Sequence, residues 1–218
     1  MTPAKVGKLL KELYEKLWQV FGPQGWWPGE TPFEVALGAI LTQNTNWNNV
    51  AKVMARLKAE GLLSAQALTA ASEAELAGLL RPAGYYNLKA RRVKNFLAVL
   101  RDRYRGSMEA LAGEDLETLR PELLAVKGIG PETADSILLY ALNKPTFVVD
   151  AYTFRILSRH HLVPESCDYE ELRRLFMDRL TADVGLYQEY HALLVRLGKE
   201  FCRPQPRCEA CFLNGWPD

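Results

Sequence analysis

The chain contains no apolar run long enough to span a bilayer, and its N-terminus has neither the apolar core nor the cleavage site of a signal peptide. It has no low-complexity linker and no solenoid period. Strand signals are sparse, limited to Phe147-Val148-Val149. Charge of one sign is not in excess either. The 27 Lys and Arg residues against 26 Asp and Glu leave a net charge of +1, so global electrostatics does not announce a nucleic-acid binder. Only three histidines occur, and His160, His161 and His191 show no metal-ligand spacing with one another. They read as polar surface or capping residues. These absences point away from a transmembrane helix and from a local histidine metal motif, and leave a globular protein with the cytoplasm as its default expected location.

What is present is helical periodicity. At 218 residues and 48% hydrophobic composition, the chain can bury a proper core in one domain or two small ones. Residues 5–21 carry an apolar stripe of Leu9, Leu10, Leu13, Leu17, Val20 and Phe21. A glycine- and proline-containing break follows at 22–25. Further helices are expected over 31–42, 47–57, 91–104, 107–112, 116–126, 153–161, 168–180 and 187–201, with Ser64 and Ser72 capping two short ones. The expected fold is all-α, in two helical lobes with a cleft between them. One lobe spans 25–135; the other combines 1–24 with 136–218. The basic clusters at 89–94 and 101–105 have the character of solvated helix faces.

The most informative stretch is 123–134. An apolar run ends at Gly128-Ile129-Gly130, and Pro131 opens a new helical pattern. The glycines permit positive φ and carry no side chain. Backbone N–H groups at the turn and at the new helix N-terminus can hold a phosphate oxygen. The same pattern also fits an ordinary helix corner with a glycine C-cap. Asp150 then follows Gly130 by 20 residues, at the end of an apolar run and ahead of another helical pattern. Taken alone it fits a helix N-cap.

Together the Gly-x-Gly hairpin and the Val149-Asp150 pair resemble the helix-hairpin-helix DNA glycosylases of the endonuclease III superfamily. The resemblance runs from about Trp18 to about Cys211. It implies that Gly128, Gly130 and Thr133 contact the DNA backbone and that Asp150 is catalytic. The polar loop Thr42-Gln43-Asn44-Thr45-Asn46 supplies, by the same resemblance, a plug at Gln43 for the gap left by a flipped nucleotide. Arg81–Ala90 resembles the family's other characteristic turn. Trp26, Trp27, Pro28, Trp47 and Tyr86 are candidate walls of a base pocket. The partner implied is damaged double-stranded DNA, with no nucleotide cofactor, no membrane and a monomeric chain.

Bifunctional members carry lysine in a Gly-x-Gly-x-Lys-Thr-Ala pattern. Here the segment reads Gly128-Ile129-Gly130-Pro131-Glu132-Thr133-Ala134, and a carboxylate cannot form an imine. The expectation is a monofunctional glycosylase without abasic-site lyase activity. The Trp-Trp-Pro loop and the Thr-Gln-Asn-Thr segment look most like the bacterial 3-methyladenine enzymes of this type. Glu132 could face the base pocket or lie solvated in the first helical turn. Two other readings stand beside this one: a bifunctional oxidised-pyrimidine glycosylase and lyase, and a non-catalytic DNA-binding module.

Cys202, Cys208 and Cys211 form Cys-x5-Cys-x2-Cys. Family relatives often hold a [4Fe–4S] cluster on four cysteines here. This chain has no fourth cysteine over 215–218, and Cys167 is a distant substitute. The expectation is a [4Fe–4S] cluster on Cys202, Cys208 and Cys211 with an unidentified fourth ligand; loss of the metal and zinc are the alternatives.

Overall fold

Helix starts in this chain are set by short polar side chains. Thr31, Asn46, Ser64, Ser72, Ser107, Asp115, Asp150, Asp168 and Asp183 each accept a hydrogen bond from the N–H three residues ahead. That satisfies one of the orphan donors at each helix N-terminus. Ser72 with Glu75, and Asp168 with Glu171, complete reciprocal capping boxes. The computed structural model describes residues 3–26 and 29–217. Trp27 and Pro28, two of the pocket candidates, lie outside the described residues. All regular structure among the described residues is helical, and none of these helices is long and apolar enough to cross a membrane.

The chain divides into two compact units, Trp27–Lys144 and Met1–Trp26 with Pro145–Asp218. In the first, α2 (Pro32–Leu41) is the core helix, buried from Val35 to Leu41. Around it run α3 (Trp47–Ala59), α4 (Ala65–Ala70), α5 (Glu73–Leu80), α6 (Tyr86–Tyr104), α7 (Met108–Gly113), α8 (Leu116–Ala125) and α9 (Pro131–Ser136). The sequence pattern places a boundary after residue 135, but residues 136–144 stay with this unit. α9 does not stop there. It continues into a π-helical turn, Ile137–Ala141, that packs on α2 with Ile137, Leu138 and Leu139 fully buried. Lys144 N–H then closes the segment onto Leu138 O at 2.8 Å.

α6 starts five residues earlier than expected, after Tyr85 turns the chain through a left-handed conformation at φ +47°. Lys89, inside its first turns, is fully buried and donates to Ala83 O at 2.7 Å. A buried ammonium without a carboxylate is costly. Burial, with Arg92 nearby, pushes the Lys89 pKa down to about 8.

The second unit is built from α1 (Pro3–Phe21), α10 (Ala151–Arg159), α11 (Tyr169–Met177) and α12 (Val184–Glu200). Leu10, Leu13 and Leu17 of the α1 stripe are fully buried, whereas Val20 is 52% exposed and outside it. The core is aromatic. Phe147 stacks on Phe176 at 3.8 Å, with Tyr187 and Tyr190 edge-on to it. The run Phe147-Val148-Val149 is buried but forms no strand; it delivers the chain into α10. Tyr190 donates its hydroxyl to Leu10 O at 2.7 Å, tying α12 to α1. α12 packs close against α10 at Gly198, where a Cβ would collide with the Tyr152 ring.

Candidate active site

The hairpin lies in the unit spanning Trp27–Lys144. α8 ends at Ala125, the chain turns through Gly128 at φ +97°, and Gly130 caps α9 with Pro131 at its first position. Pro131 removes an N–H that would be unpaired there. Ile129 tucks its side chain inward at 4% exposure and donates its N–H to Val126 O at 2.9 Å. Gly128 and Gly130 are both exposed, and their N–H groups make no hydrogen bond among the described residues. No described atom lies within 4 Å of a Cβ built on Gly130. A phosphate can therefore approach the backbone closely at this turn.

Three ties hold the hairpin rigid. Arg120 of α8 makes a two-pronged ion pair with the fully buried Asp135 of α9, at 2.8 and 3.0 Å. Asn95 of α6 donates to Lys127 O at 2.8 Å. Gln43 donates to Gly128 O at 3.1 Å and to Thr133 Oγ1 at 2.8 Å, and accepts from Arg92 Nη1. Thr133 is 7% exposed, with its hydroxyl turned to the 42–46 loop. Glu132 is exposed in the first turn of α9.

Asp150 lies in the other unit and caps α10. Its Oδ1 accepts from the Thr153 N–H at 2.7 Å and the Thr153 hydroxyl at 2.9 Å. Its Oδ2 faces His191 Nε2 at 3.6 Å, just beyond hydrogen-bond reach. Burial pushes this carboxyl up, but the facing imidazole and the two Thr153 donors outweigh it and hold the group below the usual carboxylate range. Asp150 is thus both an N-cap and a nearly buried anion with one oxygen left for chemistry. Only 11% of its side chain is exposed, so the charge acts across a poorly screened site.

His191 is the residue the sequence did not mark. It is buried at 4% exposure on α12, not on the surface, because the α10–α12 packing turns it onto Asp150. Trp26 lies against it at 5.4 Å between ring centroids. Among the described pocket candidates, Trp26 is the one in contact with the histidine that faces Asp150. Trp47, half-buried at the start of α3, and Tyr86, half-buried beneath Arg81 at 5.5 Å, belong to the unit that carries the hairpin.

Cys202, Cys208 and Cys211 line one cavity of about 220 Å³ together with Arg159, His160 and Trp216. Its walls are tied by protein groups. Arg159 donates to Cys202 Sγ at 3.5 Å and to Pro204 O at 2.8 Å, and Trp216 Nε1 donates to Glu12 at 2.8 Å. Cys167 does not line the cavity; its thiol donates to Asp168 O at 3.6 Å. A four-iron cluster takes four thiolates. Three are offered, and among the described residues no three His, Cys, Asp or Glu side chains are placed to hold a metal ion. The residues present do not fit that cluster, and Cys167 is removed as its fourth ligand.

Residues 37–182, which contain both the hairpin and Asp150, match the HhH-GPD superfamily of base excision DNA repair proteins. The chain belongs to this family. Over 206 residues it is 46% identical to a candidate DNA repair glycosylase of Methanocaldococcus jannaschii, covering 94% of this chain and 93% of that one. It is 31% identical to endonuclease III of Thermotoga maritima over 84% of this chain and 81% of the relative. Among solved structures it is similar to the H. pylori 3-methyladenine DNA glycosylase bound to 1,N6-ethenoadenine. That match has a TM-score of 0.75 and 30% identity, covering 92% of this chain and 98% of the other. This DNA glycosylase of the endonuclease III superfamily therefore carries its glycine hairpin and its nearly buried aspartate in different compact units of the chain.

Proposed function

We propose that this glycosylase is monofunctional and releases alkylated purines such as 3-methyladenine from duplex DNA, leaving an abasic site. The observation that carries the reading is Asp150, a nearly buried carboxylate with one oxygen pinned by Thr153 and the other left beside His191. A base must leave the stack before its glycosidic bond can be reached. As that bond breaks, positive charge develops on the sugar, and a preorganised carboxylate stabilises it and orients the attacking water. Purines alkylated on a ring nitrogen, such as 3-methyladenine, are cationic in the nucleotide, so they need little leaving-group activation and favour stacking on an electron-rich ring. Trp26, tilted at 52° against His191, supplies such a ring beside the histidine that faces the carboxylate. Glu132 at the position of the lyase lysine supports hydrolysis without strand cleavage, and its exposure supports a solvated rather than a pocket role. The H. pylori relative, a 3-methyladenine enzyme, supports the lesion class. Gly128 and Gly130 are assigned to the DNA backbone.

No step is assigned to the three-thiol cavity. Counting iron and acid-labile sulfide in protein purified without oxygen checks this, with less than one iron per chain expected.

Base release from methylated duplex DNA, resolved by chromatography, tests the proposal. Free 3-methyladenine is expected from the wild type, with a loss of about 100-fold or more in Asp150→Asn. Release of oxidised pyrimidines instead, with a borohydride-trapped protein–DNA adduct, would establish a bifunctional lyase. Equal release by both proteins would remove Asp150 from the chemistry.

A further inference from the structure

α1 ends at Phe21, and residues 22–26 have no regular structure to direct them. Gly22 and Gly25 both sit at positive φ, +64° and +56°, with nothing within 4 Å of a Cβ built on either. Such a stretch has many conformations open to it. Yet its last residue, Trp26, rests its ring 5.4 Å from that of His191, the side chain that faces Asp150. One ring contact does not offset the entropy of ordering a whole loop. Other ties must fix its course.

α12 supplies them. Glu189 Oε1 accepts the Gln24 backbone N–H at 2.5 Å. About two turns further along the same helix, Arg196 donates from Nη1 to Phe21 O at 3.2 Å and to Gln24 Oε1 at 3.3 Å. The Arg196 guanidinium also lies over the Phe21 ring at 4.6 Å, and its Nε is paired with Glu200 at 2.9 Å. Gln24 closes the loop on itself as well, donating from Nε2 to Gly22 O at 2.8 Å and to Phe21 O at 3.2 Å. Gln24 is thus held through its backbone and its amide together, two residues before Trp26. The helix that anchors the loop is also the one that presents His191.

We propose that Glu189 and Arg196 are positioning residues of the base pocket: they tether the 22–26 loop to α12, so that Trp26 stays against the histidine that faces Asp150. Neither touches the base. A flipped base that stacks on Trp26 then meets a ring already in place. A loop freed from α12 would have to be ordered at each capture, and the competent state would be less populated. An undamaged duplex, with its bases stacked, makes no call on the pocket. The assignment rests on the pocket role proposed for Trp26.

The tether is read without DNA and its consequence with DNA. Protein is labelled with 5-fluorotryptophan, and the Trp26 fluorine resonance is assigned by its loss in Trp26→Phe. In Glu189→Ala this resonance is expected to shift or broaden while that of Trp216 stays in place. Single-turnover release of 3-methyladenine at saturating protein should fall about tenfold, with affinity for undamaged duplex within about threefold of wild type. Glu189→Gln keeps an oxygen acceptor for the Gln24 N–H and should restore both the resonance and the rate. Arg196→Met removes the second tie and should also move the resonance; it decides if Glu189→Ala fails to fold by circular dichroism. A Trp26 resonance unmoved in both variants overturns the tether, and a moved resonance with unchanged release overturns its role in the pocket. A wild type that releases no 3-methyladenine refutes the lesion class instead, and the Trp26 resonance then decides the tether.

Discussion

Asp150 Oδ2 stands 3.6 Å from His191 Nε2, while Oδ1 is saturated by the Thr153 N–H and hydroxyl. The two carboxylate oxygens therefore do different work. Oδ1 fixes the rotamer and starts α10, and Oδ2 faces His191. His191 and Thr153 hold the folded carboxyl below its ordinary value of about 3.9. By linkage, this ionisation stabilises the fold above the unfolded pKa, and the contribution is lost as pH falls through the lower folded one.

In wild type, base release should stay independent of Asp150 protonation down to about pH 4. Replacing His191 with Phe removes one of the influences that lower the pKa and leaves the burial that raises it. The acid limb of single-turnover base release should then move upward, and carbon NMR of the Asp150 carboxyl should show the same shift without substrate. A limb that stays in place in His191→Phe would mean that the imidazole does not set this charge.

The Arg120–Asp135 pair joins the two hairpin helices with Asp135 fully buried. Removing one partner strands the other charge. Arg120→Met is expected to lose about 3–5 kcal/mol in urea unfolding. A loss below about 1 kcal/mol, the range of exposed pairs, would show that the pair is not effectively buried in solution.

The two hairpin glycines separate backbone strain from DNA approach. Gly128→Ala adds a Cβ at φ +97° and 2.5 Å from Arg92 Cγ, so both melting temperature and DNA affinity should fall. Gly130 has negative φ, and its Cβ site is open. Gly130→Ala should leave the melting temperature nearly unchanged while weakening duplex binding, because the new methyl group meets the phosphate. Unaltered binding by Gly130→Ala would remove this turn from the contact.

Lys89 titrates near pH 8 in the fold because burial, with Arg92 close by, disfavours its charged form. The unfolded lysine binds its proton up to about pH 10.4. Between these values the unfolded chain holds more protons than the folded one, so stability rises with pH. Urea midpoints of wild type and Lys89→Met should diverge in favour of wild type across that window. Parallel curves would refute the shift.

Much of this protein follows from local spacing. The caps at Ser64 and Ser72, the α1 stripe from Leu9 to Leu17, the all-helical character and the glycine hairpin each depend on residues within about two turns of one another. Helix ends were less legible where a residue departs from its usual conformation. Tyr85 at positive φ starts α6 early, and the π-helical turn at Ile137–Ala141 carries the hairpin helix past its expected end. The chemistry at the site was decided elsewhere. His191 meets Asp150 only because α12 packs on α10, and no spacing rule links positions so far apart. Arg92, one basic residue in a cluster that reads as a solvated face, is drawn under Gly128, where only a glycine leaves room for it. Gln43 and Asn44 are neighbours of similar chemistry, yet the turn sends one amide inward to saturation and leaves the other in solvent. Local sequence determined which helices form and where they begin. Tertiary packing decided which polar side chains spend their hydrogen bonds on the protein and which stay open to solvent.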